Sequence, residues 1–172
     1  MPAETLHLRV STPDDLTALD ALYARAYPAL LKRDYPPSVI VTAIPLIARA
    51  NPQLAGCGTF YVVETPGGAL VGAGGWTRPS PLGGGADSGV AHVRHVVCDP
   101  AHVRRGVGRR IMTHVCSEAA QAGVRRLDCQ RTRTAVPFYT ALGFVRRGDL
   151  TVPLAPGISL PAVAMTRMLS SP

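Results

Sequence analysis

The feature that most constrains the fold of this chain is a strand followed by a basic, glycine-containing turn and then a helix. The apolar run Val96-Val97-Cys98 is typical of a strand, and Asp99-Pro100 ends it because proline has no N–H for a sheet ladder. Beyond the turn, apolar residues recur at the spacing of one helix face, at Val107, Ile111, Val115, Ala119 and Ala122. Gly123 is predicted to follow the end of this helix.

The turn, residues 103–109, has the composition of an anion-binding site. A helix N-terminus presents unpaired N–H groups and the positive end of the helix dipole. Gly106 and Gly108 lack the Cβ atoms that would hold a phosphate away. Four arginines add positive charge: Arg104, Arg105, Arg109 and Arg110. The turn lacks the Gly-Lys-Ser/Thr of a P-loop and the third glycine of the dinucleotide fingerprint, so its spacing alone does not identify a ligand.

Two sequence motifs occur in the same order as in a known protein family. Val96 to Gly108 follows the frame of an apolar strand, a proline, three residues and an Arg-Gly-x-Gly turn. Ala135 to Phe144 follows the frame Ala-x-x-Phe-Tyr-x-x-x-Gly-Phe. With both motifs, residues 91–144 resemble the GNAT superfamily of acyl-CoA-dependent N-acetyltransferases. The rest of the chain, from Leu6 to Leu169, resembles the family more loosely.

The resemblance implies one domain over residues 1–172, of α/β class, with a GNAT-like acyl-CoA N-acyltransferase fold and a splayed central mixed sheet. It implies acetyl-CoA as cosubstrate, held between the splayed strands and on the glycine turn, with strand N–H groups polarising the thioester oxygen. The cofactor-binding residues that it implies are Val96, Val97, Cys98, Val103, Arg104, Arg105, Gly106, Val107, Gly108, Arg109 and Phe138.

Three positions depart from the family pattern. Val103 stands where Gln or Arg is usual, which matters little if backbone N–H groups bind the phosphates. Arg104 stands where glycine is frequent, so the turn is expected to survive only if Arg104 needs no positive φ. Thr132 replaces a common Asn, which leaves one polar contact in doubt.

Acetyl transfer to an amine requires a base and an acid. An alkylammonium has a pKa near ~10.4 and must lose a proton, and the departing thiolate must gain one. By resemblance, Tyr139 is the candidate acid, against an alternative reading as a core aromatic. His92 is the candidate base, directly or through a water, against a packing reading. In a regular strand His95 would point to the opposite face, so His92 and His95 would form neither a joint base nor a metal pair.

The coarse element order is β-α-α-β-β-β-α-β-α-β-β, a mixed sheet with helices. The first helix is predicted to start at Ser11 to Asp15 and to end near Tyr27-Pro28, and a second spans roughly residues 37–49. In the family these helices border the acceptor groove, so Tyr27, Asp34 and Tyr35 are candidate contacts, with surface or packing roles as the alternative. Residues 79–88 are predicted to form a flexible loop, and residues 153–157 a second loop.

Composition narrows the function classes. Residues 1–90 carry a net charge of −1 and residues 91–172 carry +8. Such a basic half fits a nucleic-acid binder, but few aromatics accompany the arginines, and the phosphates of coenzyme A explain the charge equally well. The four cysteines form no Cys-x-x-Cys pair, so we expect buried thiols in a reducing cytoplasm and no zinc. We expect neither a signal peptide nor a membrane span, and arginine usage suggests a bacterial source.

Together these observations predict a cytoplasmic N-acetyltransferase that moves an acetyl group from acetyl-CoA to a primary amine of a small molecule. The alternatives are a protein or peptide amine as acceptor, or a non-catalytic CoA- or RNA-binding module. The partner expected is a small-molecule amine, without nucleic acid, membrane or metal. The sequence does not distinguish a monomer from a homodimer.

Overall fold

A seven-stranded mixed sheet forms the centre of the structure, a computed structural model that describes residues 3–82 and 89–171. The strands are β1 (His7–Val10), β2 (Phe60–Glu64), β3 (Leu70–Thr77), β4 (Val90–Cys98), β5 (Arg126–Arg131), β6 (Val145–Ala155) and β7 (Ile158–Met168). Their order is β1-β2-β3-β4-β5-β7-β6. β4 and β5 pair in parallel, and the other neighbours are antiparallel. The predicted α/β layout with a mixed sheet is confirmed.

Helices cover both faces of this sheet. They are α1 (Leu16–Leu31), α2 (Pro37–Ile47), α3 (Pro52–Ala55), α4 (Val107–Gln121) and α5 (Val136–Ala141). On one face, α4 buries Val107, Ile111 and Val115 against β2, β3 and β4. On the other, α1 buries Leu19, Leu22 and other side chains against β2 and β3. The sheet is therefore enclosed between two apolar layers, and its central strands are covered on both faces.

The parallel pair β4–β5 separates along its length. It is joined only through Val90–Arg126, Ala91–Leu127 and His92–Asp128. Beyond His92, residues 93–98 of β4 pair with β3 alone. The predicted splay of the central sheet is thus present, and we call the space between residues 93–98 and 129–131 the gap.

Two elements run further than predicted. α1 continues through Pro28 to Leu31 because the buried Leu31 packs with Tyr35 and Ile44, which offsets the one helical hydrogen bond that the proline lacks. β6 continues through Pro153, whereas residues 153–157 were predicted to form a loop. Since β6 lies at the sheet edge, the missing N–H of Pro153 interrupts no inner ladder. The predicted loop 79–88 lies partly outside the described residues, which stop at 82 and resume at 89.

The end of α4 forms as predicted. Gly123 has φ +86°, and its N–H donates to the Ala120 carbonyl while the Val124 N–H donates to the Ala119 carbonyl, both at 3.0 Å. This pair of bonds is a Schellman motif, which satisfies carbonyls that the helix leaves open.

The cysteines were predicted to be buried, and this is wrong for Cys57. Cys129 is buried, Cys98 and Cys116 are half-buried, and Cys57 is exposed because it follows α3 in a surface turn. Within residues 3–82 and 89–171, no three His, Cys, Asp or Glu side chains are grouped as metal ligands. In the same ranges no helix combines the length and the apolar character needed to cross a bilayer.

Candidate active site

The N-terminus of α4 is shaped by two residues in the left-handed region. Gly106 has φ +79° and immediately precedes the helix, and Arg104 has φ +62°. The first α-helical hydrogen bond runs from the Arg110 N–H to the Gly106 carbonyl at 2.9 Å. The three N–H groups of residues 107–109 therefore have no acceptor within the helix and lie at its open end.

The condition stated for Arg104, that its backbone needs no positive φ, is not met. A left-handed conformation costs a non-glycine residue about 1–2 kcal/mol, so the neighbouring structure must hold it there. The exposed side chains of this turn include Arg104, Arg105 and Arg109. Arg110 differs, because it donates to the Leu6 carbonyl at 2.6 Å and ties the N-terminal segment to α4. Three of the four arginines thus extend into solvent around the open helix end.

Gly108 brings the first turn of α4 into contact with α5. A Cβ at this position would lie 3.0 Å from Cζ of the half-buried Phe138 ring, so the glycine permits close packing of the two helices. Phe138 in turn packs edge-on against Tyr139, with ring centroids 5.0 Å apart. The two sequence motifs are therefore neighbours in space, one on each side of the gap.

Tyr139 is buried beside the gap with its hydroxyl unused. Its side chain is 1% exposed, and its oxygen has no hydrogen-bond partner among the residues that the structure describes. The ring packs edge-on against Phe144, and the Arg131 guanidinium lies 5.3 Å from the ring centroid. Burial raises the pKa of Tyr139 above its ordinary value near 10, so the phenol keeps its proton at neutral pH.

Arg131 crosses the gap, and no sequence motif marked it. From the last position of β5 its Nη2 donates to the Val93 carbonyl on β4, beyond the paired part of the two strands. Its Nε is buried and has no partner in the described ranges. In the sequence, Arg131 is a single arginine at the end of an otherwise ordinary strand. It indicates a functional site only when the separation of β4 and β5 beside it is known.

His92 lies at the start of the gap, where β4 and β5 still pair. It is opposite Asp128, whose carboxylate accepts two bonds from Arg126 at 2.9 and 3.0 Å and a third from Thr166 at 3.0 Å. Burial lowers the pKa of His92 below its ordinary 6.5, opposed by the Asp128 charge. A pocket of about 240 Å³ opens here, with His92, Gln130 and Thr166 among its walls.

A bulge in β4 changes the position of His95. The register with β3 shifts between Ala73 and Gly75, and His95 adopts φ +45°. Ala91 and Val93 face α4, but His95 stacks on Tyr23 of α1 at 5.8 Å, so it shares the face of His92. The prediction of opposite faces is wrong because it assumed a regular strand.

His95 is half-buried and neutral. Its Nδ1 lies 3.4 Å from the Tyr27 hydroxyl. Burial, reinforced by the charges of Arg131 and Arg94, lowers the pKa of His95 to about 4. Burial also raises the pKa of Tyr27 to about 12. The pair is therefore uncharged at neutral pH.

Tyr35 and Asp34, the two other residues predicted to contact the acceptor, form hydrogen bonds within the protein. The Tyr35 hydroxyl donates to the Pro161 carbonyl at 2.7 Å and accepts from the Arg133 N–H at 2.8 Å. Asp34 accepts a bond from Thr134 at 2.7 Å. These bonds fasten the α1–α2 connection to the segment that precedes α5, and they occupy the polar atoms of Tyr35.

Comparison with known proteins agrees with this geometry. The sequence model of the acetyltransferase (GNAT) domain matches residues 56–146, just over half of the chain. A GCN5-related N-acetyltransferase from Rhodopseudomonas palustris superposes with a TM-score of 0.76 at 20% identity, covering 98% of this chain and 99% of that chain. PaiA N-acetyltransferase from Thermoplasma acidophilum, solved with coenzyme A, gives 0.72 at 12% identity, with 95% and 99% covered. A putative acetyltransferase from Salmonella typhimurium, yncA, solved with acetyl-CoA, gives 0.64 at 17% identity, with 98% and 96% covered.

Proposed function

The chain belongs to the GNAT acetyltransferase family and is an acetyl-CoA-dependent acyltransferase, and from this premise we propose that it acetylates a primary amine of a small molecule. The observation that carries the proposal is that both motifs border one gap, with a partly buried histidine where the gap begins and, along it, a phenol without a hydrogen-bond partner in the described structure and an open helix N-terminus.

The turn fits the phosphates of coenzyme A. Three helix N–H groups without helical acceptors and the solvent-exposed Arg105 and Arg109 provide hydrogen bonds and positive charge. Gly106 faces open space, since a Cβ there would meet nothing within 4 Å. The gap supports binding of the acyl arm, because the backbone of residues 93–98 on that side is not paired with β5.

The chemistry assigned to the chain has three parts. His92, or a water that it holds, accepts the proton of the acceptor ammonium, since its lowered pKa keeps the imidazole neutral at pH 7. The amine nitrogen then bonds to the acetyl carbon while the carbon–sulfur bond breaks, and N–H groups of Val96 to Cys98 stabilise the charge on the carbonyl oxygen. Tyr139 gives its proton to the departing thiolate. The nitrogen loses its second proton, which restores the phenol through solvent, so the products are a neutral amide and a thiol.

The size of the site favours a small acceptor. The pocket at His92 has a volume of about 240 Å³, below the range of roughly 300–1,000 Å³ typical of sites for drug-sized ligands.

The proposal is tested by CoA release from acetyl-CoA across a panel of small amines, with calorimetric titration of CoA alongside. The double variant Arg105→Gln/Arg109→Gln should bind CoA about tenfold more weakly or worse, because charge-assisted bonds to phosphate are lost. Its control, Arg33→Gln/Arg49→Gln, removes the same charge from exposed positions just after α1 and α2 and should bind normally. CoA binding without thiol release from any amine would contradict the proposed activity, and equal affinity in both double variants would contradict the phosphate site.

A further inference from the structure

Arg131 places a positive charge in the gap without a matching negative one. No carboxylate lies within 4.0 Å of its guanidinium in the part of the chain that the structure describes. Its Nη2 donates to the Val93 carbonyl, and its buried Nε has no hydrogen-bond partner among the described residues. A half-buried guanidinium without a counter-charge is costly, so the site is electrostatically incomplete as it stands.

Arg94 adds a second charge of the same sign. It precedes the bulge on the face of β4 that carries His92, and its Nη1 donates to the Thr77 hydroxyl at 3.1 Å. Like Arg131, it has no acidic partner among the described residues. The Arg131 guanidinium reaches β4 at the Val93 carbonyl, on the residue just before Arg94. Burial and the charge of Arg131 both lower the pKa of Arg94.

The Asp128 carboxylate does not neutralise them. Asp128 lines the pocket at His92, where it is held by Nε and Nη2 of Arg126 and by the Thr166 hydroxyl. Four ionisable groups near these arginines have pKa values shifted by burial toward their uncharged forms: His95, Tyr27, Tyr139 and the Cys129 thiol. The half-buried pair therefore retains its full positive charge.

We propose that Arg94 and Arg131 bind a carboxylate of the acceptor, so that the acceptor is an α-amino acid. This inference rests on the proposed function, because it names the substrate class of the same site. Guanidinium forks match carboxylate geometry with paired hydrogen bonds. In an α-amino acid the carboxylate and the amine are two bonds apart, so a carboxylate held at the gap places the amine beside the groups that carry out the transfer.

The arrangement also assists deprotonation of the acceptor. Positive charges near an ammonium group lower its pKa, so the two arginines favour the free amine that attacks the thioester. An amine without a carboxylate would experience the same repulsion with nothing to offset it. Selectivity for amino acids therefore combines attraction for the anion with a penalty for simple cations.

Matched acceptor pairs test the proposal. The twenty protein amino acids are assayed individually for CoA release, and L-leucine and L-phenylalanine are compared with 3-methylbutylamine and phenethylamine, which lack only the carboxylate. At least one amino acid should exceed its decarboxylated partner in kcat/KM by roughly 10- to 100-fold. Arg94→Gln should lose a similar factor on the amino acid and little on the amine. Arg146→Gln removes an equal charge from the far strand β6, where Asp149 pairs with it, and should change neither.

A binding readout separates this inference from the proposed function. Titration of the CoA-saturated protein with N-acetyl-L-leucine and N-acetyl-L-phenylalanine should show affinity in the wild type that falls in Arg94→Gln and in Arg131→Gln, whether or not turnover is seen. Acetylation of simple amines with no preference for amino acids would overturn the inference and leave the proposed function standing. Binding of the N-acetyl amino acids without any turnover would support the carboxylate site while contradicting the proposed activity. Absence of both binding and amino-acid turnover would overturn the inference.

Discussion

At the scale of single residues, Tyr139 offers the sharpest test of the chemistry. Its ring packs between Phe138 and Phe144, and its hydroxyl makes no bond in the described structure. In Tyr139→Phe, packing is kept and a buried hydroxyl without a partner is removed, so the melting temperature should stay level or rise. If the phenol protonates the thiolate, kcat should fall about 10²–10⁴-fold while CoA affinity is unchanged.

The proposed role of Tyr139 is contradicted if kcat of Tyr139→Phe stays within about threefold of wild type, far short of the usual contribution of a general acid. Tyr139 would then be a packing residue. Phe144→Leu is the matched control, because it disturbs the same aromatic cluster without touching the phenol.

His92 is tested by the acid limb of the pH profile. Only the neutral imidazole accepts a proton, so kcat/KM should decline as the pH falls through the histidine pKa. Because burial lowers that pKa from 6.5, the midpoint should lie below 6.5. His92→Ala should lose this limb together with most of the rate. A limb that persists in the variant would remove His92 from the mechanism, and a midpoint near 4 would identify His95, whose pKa is about 4.

At the scale of elements, the sequence predicted the strand–turn–helix unit closely but not the bulge inside it. β4 begins and ends where its apolar pattern does, at Val90 and Cys98. Nothing in Arg94-His95 marks an irregular strand, since both residues are compatible with ordinary extended backbone. The signal lay on β3, where a Cβ at Gly74 would come 2.7 Å from Cγ2 of Val96. A glycine there permits the bulged strand to approach closely.

The turn before α4 shows a similar division between local and non-local causes. Its anion-binding character follows from glycines, arginines and a helix start, all of which are local. The positive φ of Arg104 is not, because a side chain enters that region only when the surrounding chain compels it. For the same reason the sequence predicted that α1 ends near Pro28, whereas the helix continues to Leu31, whose side chain is buried by residues distant in sequence. Within residues 3–82 and 89–171, the two non-glycine residues with positive φ, His95 and Arg104, both lie in the candidate site.

At the scale of the whole molecule, the sheet consists of two parts that meet weakly. β1 to β4 form one part and β5, β7 and β6 the other, joined by three residue pairs near one end of the gap. Past those pairs, the Arg131 bond to the Val93 carbonyl is a contact that spans the opening. A ligand bound along the gap would touch residues 93–98 on one side and α5 with the end of β5 on the other, and so would connect the two parts.

Coenzyme A should therefore stabilise the protein as a unit. A ligand at 100 times its dissociation constant adds about 2.7 kcal/mol to the free energy of unfolding. For a chain of this length we expect a rise in melting temperature of about 5–10 °C. Amide exchange should slow on both sides of the gap, at residues 93–98 and at residues 129–139. At the same CoA concentration, Arg105→Gln/Arg109→Gln should show a smaller rise. Protection confined to the α4 turn would mean that the ligand binds through its phosphates alone and leaves the two parts of the sheet unconnected.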